Sequence, residues 1–208
     1  MSITFFVKNK KKLLGGLAPV MSVEEALRLV PNLSQFNADE DDEEFDADGF
    51  YGAKLSELDC LVAGTDGLSG RGFEIGYEDG AYNVRIGTPS TRTDWKIALE
   101  YLKNLAIKMD SEIVSEDGEK FSAQNTLSFD YEHDIRARLE AIEQNLQKEA
   151  QISTIYGIRN EVSFDKKIMA RIMGAKDPAD EFGKFVTDIQ NLDAYFANQM
   201  FYRRNDNG

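Results

Sequence analysis

The chain has 208 residues, of which 42% are hydrophobic and 11% aromatic, and this apolar content excludes a wholly disordered protein because it suffices for a buried core. The 37 Asp and Glu residues outnumber the 24 Lys and Arg residues, so the net charge of -13 would repel nucleic-acid phosphates, and we expect no nucleic-acid partner. Cys60 is the single cysteine and no apolar run approaches the roughly 20 residues that span a bilayer, so we expect a soluble cytoplasmic protein that does not bind membranes.

Local signals near the amino terminus predict a strand followed by a helix. Residues 2–7 are rich in β-branched and aromatic side chains, which favours a strand. Residues 22–25, Ser-Val-Glu-Glu, form a capping box that starts a helix, and Pro31 followed by Asn32 ends it. Residues 55–63 fit either a short helix or a buried strand, and the pattern leaves both open.

Residues 39–48, called the acidic segment below, hold eight of the 37 acidic residues of the chain. Their carboxylates repel one another, and Phe45 is the only large apolar side chain that the segment offers to a core. We therefore predict a solvated loop at about 37–49.

The middle of the chain carries signals for two β-hairpins and one long helix. Residues 73–86 contain two apolar runs around Asp79-Gly80, a strong hairpin signal, and residues 113–121 repeat the pattern on a smaller scale. Between them, apolar residues recur at helical spacing over 94–109, which predicts an amphipathic helix.

The last third of the chain alternates between helical and extended patterns. The predicted helices cover 132–151, 165–173 and 177–192, and the predicted extended segments cover 152–158, 162–164 and 194–202. Hairpins interspersed with helices are typical of an α+β fold, in which a mostly antiparallel sheet built from hairpins has helices packed on it. We expect residues 1–208 to form a single α+β domain, because no linker divides them.

The glycine-rich residues 64–72 suggest a phosphate-binding loop, since glycines let backbone amides approach an anion. The segment fails the complete templates, because a dinucleotide fingerprint needs glycine where Ile75 stands and a Walker loop needs lysine where Phe73 stands. A strand rather than a helix follows it. We therefore predict a mobile loop between two sheet elements.

Candidate nucleophiles and bases are few. His133 is the only histidine, so any Ser-His or Cys-His catalysis must use it, and its position between Glu132 and Asp134 favours a solvated residue at a helix start. Cys60 stands among leucines and is interpreted as a small hydrophobe rather than a nucleophile.

Metal sites are also poorly matched. One Cys and one His make a zinc site unfavourable. Glu44, Asp46, Asp48 and Gly49 occupy the first, third, fifth and sixth places of a calcium loop, but Leu55 stands at the twelfth place, where a Glu is required. We therefore predict no catalytic, cofactor-binding or metal-binding residues, and no cofactor.

Short motifs resemble a family of uncharacterised proteins from Gram-positive bacteria. The resemblance rests on residues 88–95 (TPSTRTDW), 116–118 (EDG) and 155–158 (IYGI), and on the aromatic pairs at 195–196 and 201–202. It extends over most of the chain. It implies a bacterial cytoplasmic source and no assigned activity, so no functional residues are carried over.

Three functions compete on this basis. The first is a non-catalytic protein-binding module, of the adaptor or inhibitor type, whose acidic surface docks a basic protein partner. The second is a metal-assisted hydrolase with Asp and Glu ligands, which needs a cleft where three or more carboxylates converge. The third is a self-associating structural protein. The sequence leaves the oligomeric state open.

Overall fold

A computed structural model describes residues 1–12, 15–38, 40, 42–148 and 151–192 of the chain. Its helices are α1 (Val23–Leu27), α2 (Ala47–Gly52), α3 (Arg92–Met109), α4 (Tyr131–Lys148), α5 (Lys166–Met173) and α6 (Pro178–Gln190). Its strands are β1 (Ser2–Lys8), β2 (Ser34–Gln35), β3 (Leu61–Gly64), β4 (Phe73–Glu78), β5 (Ala81–Gly87), β6 (Ile113–Ser115), β7 (Lys120–Phe121), β8 (Ser153–Tyr156) and β9 (Glu161–Phe164). In these ranges no helix is long and apolar enough to cross a membrane.

Seven strands form one antiparallel sheet in the order β2-β3-β4-β5-β1-β6-β7. β1 lies between β5 and β6, so that Phe5 stands opposite both Val84 and Ser115. The two outer strands, β2 and β7, are two residues long. The remaining strands, β8 and β9, form a separate hairpin. This architecture confirms the α+β fold and the predicted hairpins.

The core lies between the sheet and α3. In β5 the side chains of Tyr82, Val84 and Ile86 are buried, while the intervening residues face away from the core. α3 packs on β1 and β5 and buries Trp95 and Leu99 on its inner side. The buried face of β5 and the apolar side of α3 thus pack against each other, and the hydrophobic effect stabilises both elements.

A second layer consists of α4, α5, α6 and the β8–β9 hairpin, which pack against one another and against α3. Phe164 of β9 stacks on Phe182 of α6, with the ring centroids 6.0 Å apart. One continuous set of buried apolar side chains extends from Phe5 to Val186. The assignment of the whole chain to a single domain stays a prediction.

Local capping explains where several helices begin. Ser22 Oγ accepts a hydrogen bond from the Glu25 N–H, and the Ser22 N–H donates to Glu25 Oε2, which is the predicted capping box. Asp177 caps α6, whose first residue is Pro178.

The ambiguous residues 55–63 contain both alternatives, a 3-10 turn at Leu55–Glu57 and then β3. The predicted strand at 194–202 lies outside the described residues.

Candidate functional site

The start of the acidic segment is held by Gln35, a buried residue at the end of β2. Gln35 Oε1 accepts hydrogen bonds from the backbone N–H groups of Asn37 (2.8 Å) and Ala38 (3.0 Å). Its Nε2 donates to Ala38 O and to Glu40 Oε1, each at 2.9 Å. The Tyr51 hydroxyl of α2 donates to the same Glu40 oxygen at 2.6 Å. Glu40 is therefore fixed to the sheet and to α2 at once.

The Glu40–Tyr51 hydrogen bond joins a carboxylate to a phenol. Hydrogen bonds from Tyr51 and Gln35 lower the pKa of Glu40. Partial burial, together with the Glu40 carboxylate, raises the pKa of Tyr51 to about 12. At neutral pH Glu40 is ionised and Tyr51 is protonated, so the bond is charge-assisted.

The other end of the acidic segment runs into α2. Asp46 caps this helix by accepting a hydrogen bond from the Gly49 N–H at 3.0 Å. The ring of Phe45 packs on Phe50, with centroids 5.5 Å apart. Residues 37–49 were predicted to form a solvated loop, and in the structure a helix begins at Ala47 near the end of this range.

Five carboxylates between residues 42 and 48, including that of the cap residue, are exposed. They belong to Asp42, Glu43, Glu44, Asp46 and Asp48. None of them forms an ion pair with a lysine or arginine of the described residues. This part of the surface therefore has a negative potential that no described cation neutralises locally.

Two clefts flank Glu40. One, of about 460 Å³, lies between α1 and α2 and is also lined by Arg28 and Tyr51. The other, of about 670 Å³, is lined by Phe36 and Arg159, and there the Arg159 guanidinium stands over the Phe36 ring at 5.0 Å from its centroid. Both clefts therefore place a carboxylate beside apolar surface.

The glycine-rich residues 64–72 connect β3 to β4, and their backbone is bound by a carboxylate of α3. Asp94 is completely buried, and its Oδ2 accepts hydrogen bonds from the N–H groups of Gly70 (3.2 Å) and Arg71 (2.9 Å). The Thr91 hydroxyl donates to the same oxygen at 2.8 Å. The amides that a phosphate-binding loop would direct to a ligand are here directed to the protein's own anion.

Burial dominates the electrostatics of Asp94. It raises the pKa of this carboxyl, while the hydrogen bonds from Arg71 and Thr91 lower it. Sequence reasoning recognised the glycines but missed this contact, since no local signal links residue 94 to residue 70. In the sequence, Asp94 is only the first residue of the predicted helix over 94–109.

The candidate nucleophile and base occupy different elements. Cys60 precedes β3 and is half-buried, and burial with the neighbouring Glu74 and Asp59 raises the pKa of its thiol. His133 is exposed in the first turn of α4, where its backbone N–H donates to Asp130 Oδ1 at 3.1 Å. No hydrogen bond joins the two side chains. A raised thiol pKa disfavours the reactive thiolate.

Two residues of the calcium-loop pattern have structural positions in α2. Asp46 is engaged as the cap of α2, and Asp48 lies in the first turn of that helix. Across the described ranges, no group of three or more His, Cys, Asp or Glu side chains is placed to hold a metal ion.

Comparison with known proteins gives one informative result. No curated protein matches the chain, and no solved structure matches it. A family described as a domain of unknown function, DUF4299, matches residues 2–208, which is nearly the full length. The chain therefore belongs to the DUF4299 family of domains of unknown function.

Proposed function

We propose that this protein is a non-catalytic protein-binding module, of the adaptor or inhibitor type, whose acidic segment docks a basic protein partner. The observation that carries the proposal is a row of exposed carboxylates without described ion-pair partners, on a backbone anchored at both ends. Glu40 forms one anchor and Asp46 the other.

The anchors matter for binding because a disordered acidic loop would lose conformational entropy when a partner ordered it. Here the Gln35–Glu40–Tyr51 hydrogen bonds and the cap at Asp46 already restrict the backbone. Exposed charges then contribute chiefly to the association rate and to partner choice, since like-charged proteins are repelled. The attraction should weaken with salt, because the screening length is about 8 Å at physiological ionic strength.

The two clefts beside Glu40 add shape and apolar contact to the recognition of a partner, which charge alone would not provide. A partner lysine or arginine placed in the larger cleft would meet Glu40 and Asp66 near the Phe36 ring. Arg159 now occupies part of this position, with its guanidinium bound to Asp66 Oδ1 at 2.9 Å. This contact supports the proposal that the cleft accepts a guanidinium.

We also propose a Gram-positive bacterial source and a cytoplasmic location. The resemblance noted in the sequence analysis supports the source. The single cysteine, Cys60, supports a reducing compartment.

Affinity capture from the native cytoplasm tests the proposal. The variant E43Q/E44Q/D48N removes three exposed charges of the acidic segment and leaves the anchors Glu40 and Asp46 in place. The control variant E100Q/E116Q/E140Q removes three exposed charges elsewhere, so the net charge changes equally.

We expect wild type and control to capture the same basic protein, in a salt-sensitive manner, and the segment variant to lose it. Equal capture by both variants would overturn the proposal. Light scattering after gel filtration checks the alternative of a self-associating structural protein. If the wild type is an oligomer and both variants remain oligomers, the chain self-associates through another surface.

A further inference from the structure

The structure contains a further recess, remote from the acidic segment, where β1 and β7 meet the start of α4. This cleft has a volume of about 550 Å³, within the range typical of small-molecule sites. Its apolar lining comes from Ile3, Phe121, Phe129 and Ala137.

The floor of the cleft is a rigid aromatic cluster. The rings of Phe121 and Phe129 meet edge to face with centroids 6.0 Å apart, and both pack on the buried ring of Phe5. Interlocked rings of this kind hold their shape without a ligand, so a flat apolar group can bind without reorganising them.

One wall of the cleft contains a carboxylate with one oxygen unpaired among the described residues, that of Asp134. The Asp134 side chain is nine-tenths buried, with a relative exposure of 10%. Its Oδ1 lies 3.3 Å from Arg138 Nε, and its Oδ2 is buried with no hydrogen-bond partner among the described residues. The fold therefore satisfies only half of this carboxylate, although buried carboxylate oxygens are normally paired.

Arg138 does not supply the missing donor. Its Nη1 is directed to the Met1 sulfur at 3.2 Å, so its contact with Asp134 is a single long bond rather than a bidentate pair. Met1 is largely exposed, and the Arg138 side chain is one-third exposed.

The charges around the cleft select the ligand. Glu119, Asp130 and Asp134 line it, against the single cation Arg138, with His133 at the rim. Asp130 also accepts a hydrogen bond from the backbone N–H of His133, which covers the positive end of α4. The remaining potential is negative, so it repels an anion and attracts a cation.

We propose that this cleft binds a small cationic ligand, an ammonium group carried on an aromatic or aliphatic body, with Asp134 as its counter-ion and Phe121 and Phe129 beneath its apolar part. The ammonium group pairs with the Asp134 carboxylate, which lines the cleft and has only one long hydrogen bond from the protein. The site is independent of the acidic segment and does not rest on the proposed protein docking.

Titration calorimetry with phenethylamine tests the proposal, with 2-phenylethanol as the neutral probe and phenylacetate as the anionic one. We expect saturable binding of the amine below about 10 mM and at least about tenfold weaker binding of both other probes. Amide chemical-shift changes should concentrate at residues 129–138. Equal binding of amine and alcohol, or no saturable binding of the amine, overturns the proposal.

Two variants locate the site. D134N keeps the shape of the side chain and removes its charge, and A137W fills the cleft from an exposed position. Each should weaken amine binding at least about tenfold, whereas D117N, an exposed control in the β6–β7 turn, should leave it unchanged. If D134N fails to fold, the amine affinity of the A137W variant alone tests the location of the site. Unchanged affinity in a folded A137W variant overturns the assignment.

Discussion

The buried carboxylate of Asp94 accepts a hydrogen bond from the backbone N–H of Arg71 at 2.9 Å, which ties the first turn of α3 to the glycine-rich loop. The Arg71 guanidinium continues the connection, because it donates to Pro89 O at 2.6 Å and to Tyr156 O at 2.7 Å. Two residues thus join the large sheet, α3 and the β8–β9 hairpin.

Replacing Asp94 with alanine should lower the free energy of unfolding by about 3 kcal/mol, because the buried N–H groups of Gly70 and Arg71 lose their acceptor. Urea denaturation measures the change. The control is Glu100→Ala on the exposed side of the same helix, which should change stability by less than about 0.5 kcal/mol. Similar losses in both variants would contradict the role assigned to Asp94.

The stability of wild type relative to Asp94→Asn should depend on pH. Burial raises the folded-state pKa of Asp94 above its ordinary value of 3.8, so the folded protein holds this proton more tightly than the unfolded chain. The associated stability is present below the unfolded pKa and is lost as pH rises through the folded pKa.

Asparagine cannot titrate. The advantage of wild type over the variant should therefore shrink as pH is raised from about 3 to neutrality. Urea unfolding of both proteins across this range checks the trend, since the groups whose pKa is lowered, such as Glu25 and Asp177, contribute equally to both. An advantage that grows with pH would refute the raised pKa.

The Tyr51 phenol should ionise near the pKa of about 12 that partial burial and Glu40 produce. The difference in phenolate absorbance between wild type and Tyr51→Phe isolates this group from the other tyrosines. Glu40→Gln should lower the pKa of Tyr51, because it removes the negative charge beside the phenol and the charge-assisted hydrogen bond. Glu44→Gln is the matched control, and an equal effect of both changes would exclude the Glu40–Tyr51 bond as a cause.

Gln190 should be a stability determinant despite its place in the last turn of α6. Its Oε1 accepts from the N–H groups of Arg159 (2.9 Å) and Asn160 (2.7 Å), and its Nε2 donates to Asn160 O at 3.1 Å. Gln190→Leu should cost about 2 kcal/mol in urea denaturation, since these groups lose their partner.

Gln190→Glu keeps the acceptor and should fall between wild type and the leucine variant. Gln147→Leu, at an exposed position of α4, should stay within about 0.5 kcal/mol of wild type. The interpretation fails if the glutamate and leucine variants lose equal stability.

The acidic segment should tolerate loss of its exposed charges but not of its cap. E43Q/E44Q/D48N should lower the melting temperature by less than about 1 °C, because these side chains repel one another and are exposed. Asp46→Ala should cost about 1 kcal/mol as the loss of a helix cap. Calorimetry of both variants separates the two effects, and a large drop in the triple variant would contradict them.

The elements that sequence predicted correctly are those with local signals. The turn at Asp79-Gly80 marks the β4–β5 hairpin, and the spacing of Trp95, Leu99 and Leu102 marks α3. These patterns depend on near neighbours along the chain, so one sequence is enough to read them.

The features that escaped prediction depend on residues distant in sequence. Asp94 meets Gly70 across 24 positions, and Asp134 meets a cleft floor that includes Ile3. The composition identified the acidic segment. The hydrogen bond between Glu40 and Tyr51 depends on the position of α2 relative to that segment, which local sequence does not indicate. Side-chain type gave no indication of these partners.

The position of β1 has a consequence for biosynthesis. Ser2–Lys8 pairs with Ala81–Gly87, so β1 leaves the ribosome some eighty residues before this partner strand has been made. At about 5–20 residues per second that interval is on the order of ten seconds, during which Phe5 and Val7 lack their final cover. The large sheet is therefore closed late, by a pairing of high contact order, and its folding should be slow compared with that of α3 or of the β4–β5 hairpin.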